Sequence, residues 1–393
     1  MKKLFKYALL CAALCTLSMS FTACSSDDDN NSSETKDPNQ GRAAADIVYS
    51  QQNAAAWGNY MVAVAKLLNT DATTLYNMWN GGTNYGGSSY ASYFKSHNNK
   101  DFSSALNCVE QIIDGCVTIA SEVGSTKIGD PYNLYVAGKT TEALYAVESW
   151  YSWHSITDYA NNIRSIQNAF NCTYKGVQGS HSIAKYLQAH GQSDLASQVN
   201  AAITTTINSI EGMAAPFRSH IGNPSVITAM EACNTLKNVL KTLKARVESF
   251  EGEAELKAIV ADYVDVVVLP TYKDLKDANA ALHQAVQTLA ANPSNATFEQ
   301  AAAAWMAARQ PWEMSEGFLF GPVDELGLDP NMDSWPLDQD AIKNVLASGD
   351  FTGLDWSGDF DEENEGIAEA QSIRGFHTLE FLLFKNGQPR KIN

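Results

Sequence analysis

Apolar residues recur at three- and four-residue spacing along most of the chain, which is the pattern of amphipathic α-helices. In one stretch, for example, Leu236, Leu240 and Leu243 fall on a single helix face. No hairpin turn joins two alternating strand-like runs, and no short repeat recurs. The pattern therefore predicts an all-α fold of two helical domains, each similar to a four-helix bundle. We place the first bundle at residues 44–250 and the second at residues 251–393.

The N-terminal segment departs from this pattern. Residues 1–23 combine three lysines, no acidic residue and an apolar run, which is typical of a secretory signal peptide rather than a spanning helix. The sequence FTAC at residues 21–24 resembles a lipoprotein cleavage box, so Cys24 is predicted to be the lipidated first residue of the mature protein. Residues 24–43 are polar and are expected to form a flexible tether. We therefore expect a cell-envelope lipoprotein held in the outer membrane through Cys24, on its periplasmic face or at the cell surface.

The net charge narrows the range of partners. The formal charge of −17 would become −20 after removal of a leader that carries three lysines and no acid. Such an acidic body argues against nucleic acid as a partner, because nucleic-acid binding needs a basic face. It is compatible with cations as ligands. The chain contains no CxxC pattern, which argues against a zinc site built from thiolates.

The clearest candidate chemistry lies near the C-terminus. His377 and Glu380 are three residues apart on a predicted helix over residues 364–385, so their side chains are neighbours. An imidazole beside a carboxylate is part of a metal site or of an acid–base pair, and spacing alone equally allows a simple hydrogen bond on the helix surface. Both the HExxH and the HxxEH peptidase motifs would need a histidine where Phe381 stands. A serine nucleophile would have to be Ser152 or Ser315, and no nucleophile-elbow motif supports either.

Two further predicted helices carry polar stripes. One, over residues 140–170, has a stripe of carboxylate, hydroxyl and amide side chains with almost no lysine, and the other, over residues 298–320, aligns Arg309 and Glu316 with two tryptophans. A polar stripe is often only a solvent-facing side. Helical bundles, however, hold iron or manganese with carboxylates and histidines that project inward. His377, Glu380 and Glu316 would suit iron, zinc or copper, and the lack of paired ExxH helices argues against two metals. The first stripe consists of Glu148, Ser152, Ser155, Tyr159 and Asn162, with Asp158 at its edge.

At these positions the chain resembles the imelysin-like family. The similarity covers most of residues 44–393, and its combination of motifs is more specific than HxxE alone. In this chain the GxHxxE half follows the Ser-Ser-Asp-Asn half, the reverse of the usual family order, and we interpret this as a circular permutation. The matching tracts are Gly375–Glu380 (GxHxxE), Arg309–Pro322, Asp333–Asp338, Ser152–Ile163 and Lys127–Pro131.

The resemblance implies exported or lipid-anchored helical proteins linked to bacterial iron acquisition, with a cleft between two packed bundles. The family also carries a peptidase label. By this resemblance His377 and Glu380 would be metal ligands, with Glu316 as a possible third. The cleft would be lined by Arg309, Trp312, Ser315, Asp333, Trp335, Ser152, Ser155, Asp158, Asn162 and Gly375.

The sequence and the resemblance together predict a non-enzymatic component of iron or haem uptake. It would bind a divalent or ferric metal ion (iron, zinc or copper), or a small metal-bearing ligand, and would work with other iron-uptake components. Two alternatives stay open at this point. One is a zinc-dependent peptidase that uses the HxxE pair, and the other is a metal-free module that binds a peptide or glycan.

Overall fold

The computed structural model describes residues 48–393. The predicted signal peptide, the lipidation site at Cys24 and the tether at residues 24–43 lie outside the described residues. None of the described helices is long and apolar enough to span a membrane.

Helices dominate the described residues, which confirms the all-α prediction. Two short antiparallel pairs of strands accompany them: Thr173–Tyr174 (β1) with Val177–Gln178 (β2), and Phe384–Lys385 (β3) with Gln388–Pro389 (β4). Between residues 48 and 393 the α-helices are α1 Ala54–Asn80, α2 Tyr90–Ser96, α3 Ala105–Glu122, α4 Gly129–Val136, α5 Thr140–Ala146, α6 Ser155–Asn171, α7 Ile183–Ala189, α8 Ser193–Glu211, α9 Pro224–Val247, α10 Glu253–Asp262, α11 Leu269–Ala291, α12 Asn295–Glu313, α13 Pro322–Glu325, α14 Leu328–Asp333, α15 Gln339–Ser348, α16 Glu365–Gln371 and α17 Gly375–Leu383.

Two groups of helices surround the centre of the molecule. In one, α3 packs against α6, α9 and α10, and α8 packs against α6 and α9; in the other, α11 packs against α1 and α12, and α17 packs against α1, α12 and α14. The two groups meet where α6 contacts α12. Helix α1 therefore packs mainly with helices that follow residue 250, although it belongs to the segment predicted as the first bundle. The described residues all belong to one compact unit.

The helix predicted over residues 140–170 is interrupted. Helix α5 ends at Ala146 and α6 begins at Ser155, and the connecting loop holds Ser149 and Trp153 at φ values of 51° and 61°. Trp150 and Tyr151, adjacent in sequence, are both buried in the loop at 3% and 2% exposure. Positive φ at Ser149 and Trp153 excludes a continuous right-handed helix. In this loop Tyr151 packs edge-on against Trp335 and Phe381, which are far away in the sequence.

The other two site-bearing helices are also shorter than predicted. Helix α12 ends at Glu313 and is followed by a 3₁₀ turn at Glu316–Phe318, whereas the predicted helix reached residue 320. The predicted helix over residues 364–385 is divided into α16 and α17. Gly375 begins α17 with φ 86°, and a Cβ atom there would lie 2.6 Å from the carbonyl oxygen of Met332. Glycine therefore permits the close approach of α17 to α14, which carries Asp333.

Candidate functional site

Arg309 on α12 lies at the centre of a buried acidic cluster. Its side chain is fully buried. Nη2 lies 2.8 Å from Glu148 Oε1 and 2.5 Å from Glu313 Oε1, and Nε lies 3.4 Å from Asp158 Oδ2. Nη1 contacts Asp333 Oδ1. Four carboxylates from different parts of the chain thus surround one guanidinium, whose planar set of donors suits several acceptors at once.

His377 on α17 faces the same cluster. Its Nε2 atom lies 3.1 Å from Asp333 Oδ1 and 3.4 Å from Glu148 Oε1, and its Nδ1 atom lies 3.0 Å from Glu380 Oε2. The ring of Trp335 meets the imidazole nearly edge-on, with ring centroids 5.0 Å apart. The imidazole is fully buried. Its two nitrogen atoms therefore have different surroundings, with two carboxylates at Nε2 and one at Nδ1.

Glu380 contacts the imidazole of His377 at Nδ1, whereas Asp333 and Glu148 lie near Nε2. Its Oε1 atom accepts hydrogen bonds from the Ser152 backbone N–H at 2.8 Å and from the Ser152 hydroxyl at 2.7 Å, while Oε2 faces His377. Histidines that bind metals commonly bond a carboxylate through the nitrogen that does not face the metal. The sequence prediction made Glu380 a ligand beside His377. In the structure the two side chains are in contact, with Glu380 Oε2 on the Nδ1 side of the ring.

The two candidate serine nucleophiles are bonded elsewhere. The Ser152 hydroxyl donates to Glu380, and the Ser315 hydroxyl donates to the carbonyl oxygen of Trp312 at 2.7 Å. A serine nucleophile needs its hydroxyl hydrogen-bonded to the base that activates it. Ser152 bonds Glu380, and Glu380 in turn bonds His377. The serine hydroxyl is therefore not hydrogen-bonded to the imidazole that would have to activate it.

Side chains predicted to line the cleft position the acids. Asn162 Nδ2 donates to Glu313 Oε2 at 2.5 Å, and the Ser155 hydroxyl donates to the backbone carbonyl of Glu148 at 2.5 Å. The Trp312 indole N–H donates to Asp333 Oδ2 at 2.7 Å. These three bonds fix carboxylates or the backbone that carries them, so the predicted residues are brought together around Arg309.

Glu316 lies in a neighbouring group. The Lys127 ammonium is 3.5 Å from Glu316 Oε1 and 3.2 Å from Glu148 Oε2. Ligand atoms of Glu316, Glu313 and Asp333 lie within 4.8 Å of one another, whereas the group that includes His377 consists of Glu148, Asp333 and His377. The structure therefore does not group Glu316 with His377 and Glu380, and it brings Glu148 and Asp333 to the imidazole.

The cluster stabilises ionised forms at its centre. Burial alone would raise the pKa of Glu148, but Lys127, His377 and Arg309 hold it well below its usual range. Burial also opposes ionisation of Asp333, yet Arg309 and His377 lower its pKa. Burial and Arg309 would lower the pKa of His377, but the carboxylates of Asp333 and Glu148 raise it well above its ordinary value.

At the edge of the cluster the pKa values of the acids are raised instead of lowered. Burial raises the pKa of Glu313 and of Glu316 well above the ordinary glutamate value, although Arg309 and Lys127 oppose this effect. Burial likewise raises the pKa of Asp158. More carboxyl groups are buried here than Arg309 and Lys127 can pair with, and burial works against ionisation of those at the edge.

The donor set at His377 fits a metal ion. One imidazole nitrogen and two carboxylate oxygens, from His377, Glu148 and Asp333, lie within 4.8 Å of one another. Such mixed nitrogen and oxygen sets suit iron, zinc and related metals. In this structure Arg309 contacts the two carboxylates and lies 3.4 Å from His377 Nε2. The three donors thus already face one cation.

Sequence reasoning did not select three residues that belong to this cluster. Glu148 stood in the polar stripe but was not chosen as a ligand, since a helix over residues 140–170 would not single it out. Glu313 is four residues from Arg309 on α12, a spacing that predicts an ion pair and could have identified it. Lys127 reaches the cluster from a π-helical turn, Val123–Lys127, and no local signal indicates that.

Comparisons with known proteins agree with these motifs. The family model for imelysin, peptidase M75, matches residues 29–243 and 268–392. The crystal structure of an imelysin peptidase from Bacteroides ovatus is 53% identical, with a TM-score of 0.86 over 89% of this chain and 100% of that chain. Iron-regulated protein A of Synechococcus elongatus is 36% identical over 130 residues, which are 33% of this chain and about a third (32%) of that relative. The chain belongs to the imelysin family.

Proposed function

We propose that this protein binds one metal ion as its cargo, through His377 Nε2 and the carboxylates of Glu148 and Asp333. The observation that carries the proposal is the convergence of these three donor atoms within 4.8 Å in a buried site. Glu380 would keep the imidazole in the required orientation through its contact at Nδ1. Ser152 would in turn hold Glu380.

Iron is the metal that we favour. One imidazole with two carboxylates is a borderline-hard donor set, which suits ferrous or ferric iron and also accepts zinc or copper. The relative from Synechococcus elongatus is named for its regulation by iron. We therefore propose an iron-related role for this chain as well. In a second form of this proposal, the cargo is a small iron-bearing ligand such as haem.

We further propose that the protein works at the cell envelope. Residues 1–24 have the pattern of a lipoprotein leader with Cys24 as the anchor, and the acidic composition fits cations better than nucleic acid. An anchor in the outer membrane would keep a metal-binding body close to other iron-uptake components. The circular permutation inferred from motif order also stays a prediction.

Metal titration tests the proposal directly. Calorimetric titrations with Fe²⁺, Zn²⁺, Cu²⁺ and a soluble Fe³⁺ chelate, together with elemental analysis, should give binding of about one ion per chain. The double variant His377→Ala/Asp333→Asn should lose this binding. His190→Ala is a matched control, because His190 also pairs with a carboxylate, Glu255 at 2.9 Å, but elsewhere on the surface.

Each result has a clear meaning. Equal binding in the wild type and in the double variant would place the metal elsewhere and refute the proposed ligands. No binding in any form would refute the metal proposal and favour a module that binds a peptide or glycan. Cleavage of peptides that is lost with a chelator would instead favour a zinc-dependent peptidase, since the Bacteroides ovatus relative is itself named a peptidase.

A further inference from the structure

We infer that Arg309 is the built-in competitor of the metal ion, so that the ion binds only when the guanidinium leaves Glu148 and Asp333. This inference rests on the proposed metal site and adds its regulation. It describes an exchange of one cation for another within a buried acidic cluster. The exchange forms and breaks no covalent bond.

The metal ion and the guanidinium of Arg309 need the same donor atoms. Arg309 Nη2 lies 2.8 Å from Glu148 Oε1, and Nη1 contacts Asp333 Oδ1. Nη2 is also 3.4 Å from His377 Nε2. A metal ion bonds nitrogen and oxygen ligands at about 2.0–2.2 Å, so it would occupy space that the guanidinium now fills. Both cannot use these donors together.

The guanidinium also has an alternative set of acceptors. Glu313 Oε1 and Asp158 Oδ2 already lie at 2.5 Å and 3.4 Å from Arg309 and are not part of the donor set around His377. Asp158 Oδ1 is buried without a hydrogen-bond donor, and His154 Nε2 lies 3.7 Å from it. Asn162 Oδ1, on the amide that bonds Glu313, is also buried without a donor.

The displaced guanidinium can form hydrogen bonds with these acceptors. A buried polar atom without a partner is costly, so a shift of Arg309 toward Asp158 and Asn162 would recover part of what it loses at Glu148 and Asp333. The arginine side chain has a long, rotatable stem and a planar guanidinium with five donors, so it can keep some of its bonds during the shift.

The consequence is reversible binding. The carboxylates face a cation with or without the metal, so releasing the ion does not leave them unpaired, which would be costly in a buried site. The apparent affinity is lower than that of an open site, because only the fraction of molecules with Arg309 withdrawn can bind. A carrier that must pass its cargo to another protein needs such a site.

The test compares Arg309→Gln and Arg309→Lys with the wild type, using Zn²⁺ as a redox-inert probe. We expect Arg309→Gln to bind Zn²⁺ at least tenfold more tightly than the wild type, and Zn²⁺ to raise its Tm by more. Lysine keeps the charge but has three donors at one point instead of the planar fork that meets several carboxylates at once, so Arg309→Lys should fall between them. Adding His377→Ala to Arg309→Gln should abolish the gain.

Arg374→Gln is the matched control. Arg374 is another buried arginine, 1% exposed, and it bonds Asp71 at 2.5 Å, Asp355 and the Leu354 carbonyl, none of which contacts Arg309 or His377. Its replacement should lower the Tm but leave Zn²⁺ affinity unchanged. If Arg309→Gln does not fold without metal, refolding in the presence of Zn²⁺ is expected to recover it, and failure to do so counts against the inference.

The outcomes separate the two ideas. Wild-type binding with equal or weaker binding in a folded Arg309→Gln would overturn the exchange and leave the metal site standing. Binding only in Arg309→Gln would support the exchange and show that arginine closes the wild-type site. Binding in neither protein would refute the metal site, and the exchange with it.

Discussion

Arg309 and Arg374 are both almost fully buried, at 0% and 1% exposure, but their surroundings differ. Arg374 pairs with one buried carboxylate, Asp71 at 2.5 Å, and its other partners are the exposed Asp355 and the carbonyl oxygen of Leu354. Arg309 is surrounded by four carboxylates whose side chains are at most 7% exposed. Arg374 thus has one buried carboxylate for its single positive charge, whereas Arg309 has four.

This excess of buried carboxylates distinguishes a functional site from a structural ion pair. Burying a single matched pair roughly balances the cost of desolvation against the attraction, and extra carboxylates add cost without further stabilisation. Perturbed acids that cluster in this way are candidates for function. The comparison therefore predicts that Arg374 matters for stability alone, whereas the region of Arg309 responds to metal.

Removing Arg374 should have the largest effect on stability. Arg374→Ala leaves Asp71 buried without its cation, and breaking a buried pair costs about 3–5 kcal/mol. Urea unfolding should show this loss in the free energy of unfolding, and added Zn²⁺ should not restore it. In Arg309→Gln, Zn²⁺ should restore part of the loss. Recovery of Arg374→Ala by Zn²⁺ would contradict the division between the two regions.

Gly375 joins the two regions, because it follows Arg374 and begins the helix that carries His377. Gly375→Ala combines a left-handed backbone at φ 86° with a Cβ atom 2.6 Å from the Met332 carbonyl oxygen. Strain and overpacking should together lower the free energy of unfolding by about 3 kcal/mol. The substitution should also weaken metal binding, since α17 would move away from Asp333.

Gly353→Ala controls for this experiment, because no atom lies within 4 Å of the added Cβ. Its stability and metal affinity should stay close to those of the wild type. A Gly375→Ala protein that binds metal as tightly as the wild type would show that the two regions are independent.

The pH dependence of stability should report the Arg374 region. Burial raises the pKa of Asp71 from 3.8 to about 6, against the opposing effect of Arg374. Because the folded pKa lies above the unfolded one, the stability gained from the protonated carboxyl is fully present below pH 3.8 and is lost as pH rises through about 6. The loss should amount to roughly 2–3 kcal/mol.

Asp71→Asn isolates this effect. Urea unfolding of both proteins between about pH 4 and about pH 7 should show the decline in the wild type to be steeper by that amount. Parallel curves would mean that Arg374 keeps Asp71 ionised throughout and that burial does not dominate its pKa.

The sequence predicted relations within single elements better than relations between them. The three-residue spacing placed His377 against Glu380, and periodicity indicated helices at α6, α12 and α17. It did not predict that the loop after Ala146 would interrupt a helix, because burial of Trp150 and Tyr151 depends on side chains far away in sequence. For the same reason no local pattern indicated that Glu148 and Asp333 would meet at His377 Nε2.

The smallest effect on stability is expected for Ser152→Ala, which acts on the site through Glu380. The substitution removes the 2.7 Å hydroxyl bond to Glu380 Oε1 but leaves the backbone N–H bond at 2.8 Å, so unfolding should become easier by only about 1 kcal/mol. Metal affinity should fall by about tenfold, because Glu380 would hold the imidazole less firmly. Ser372→Ala removes a hydroxyl bond of similar length, 2.8 Å to the Glu369 carbonyl, but at the surface, and should change neither the affinity nor the response to Zn²⁺. If Ser152→Ala lowered stability without changing the affinity, Glu380 would be a structural acid like Asp71, and the difference between the two regions would rest on Arg309 and its four carboxylates alone.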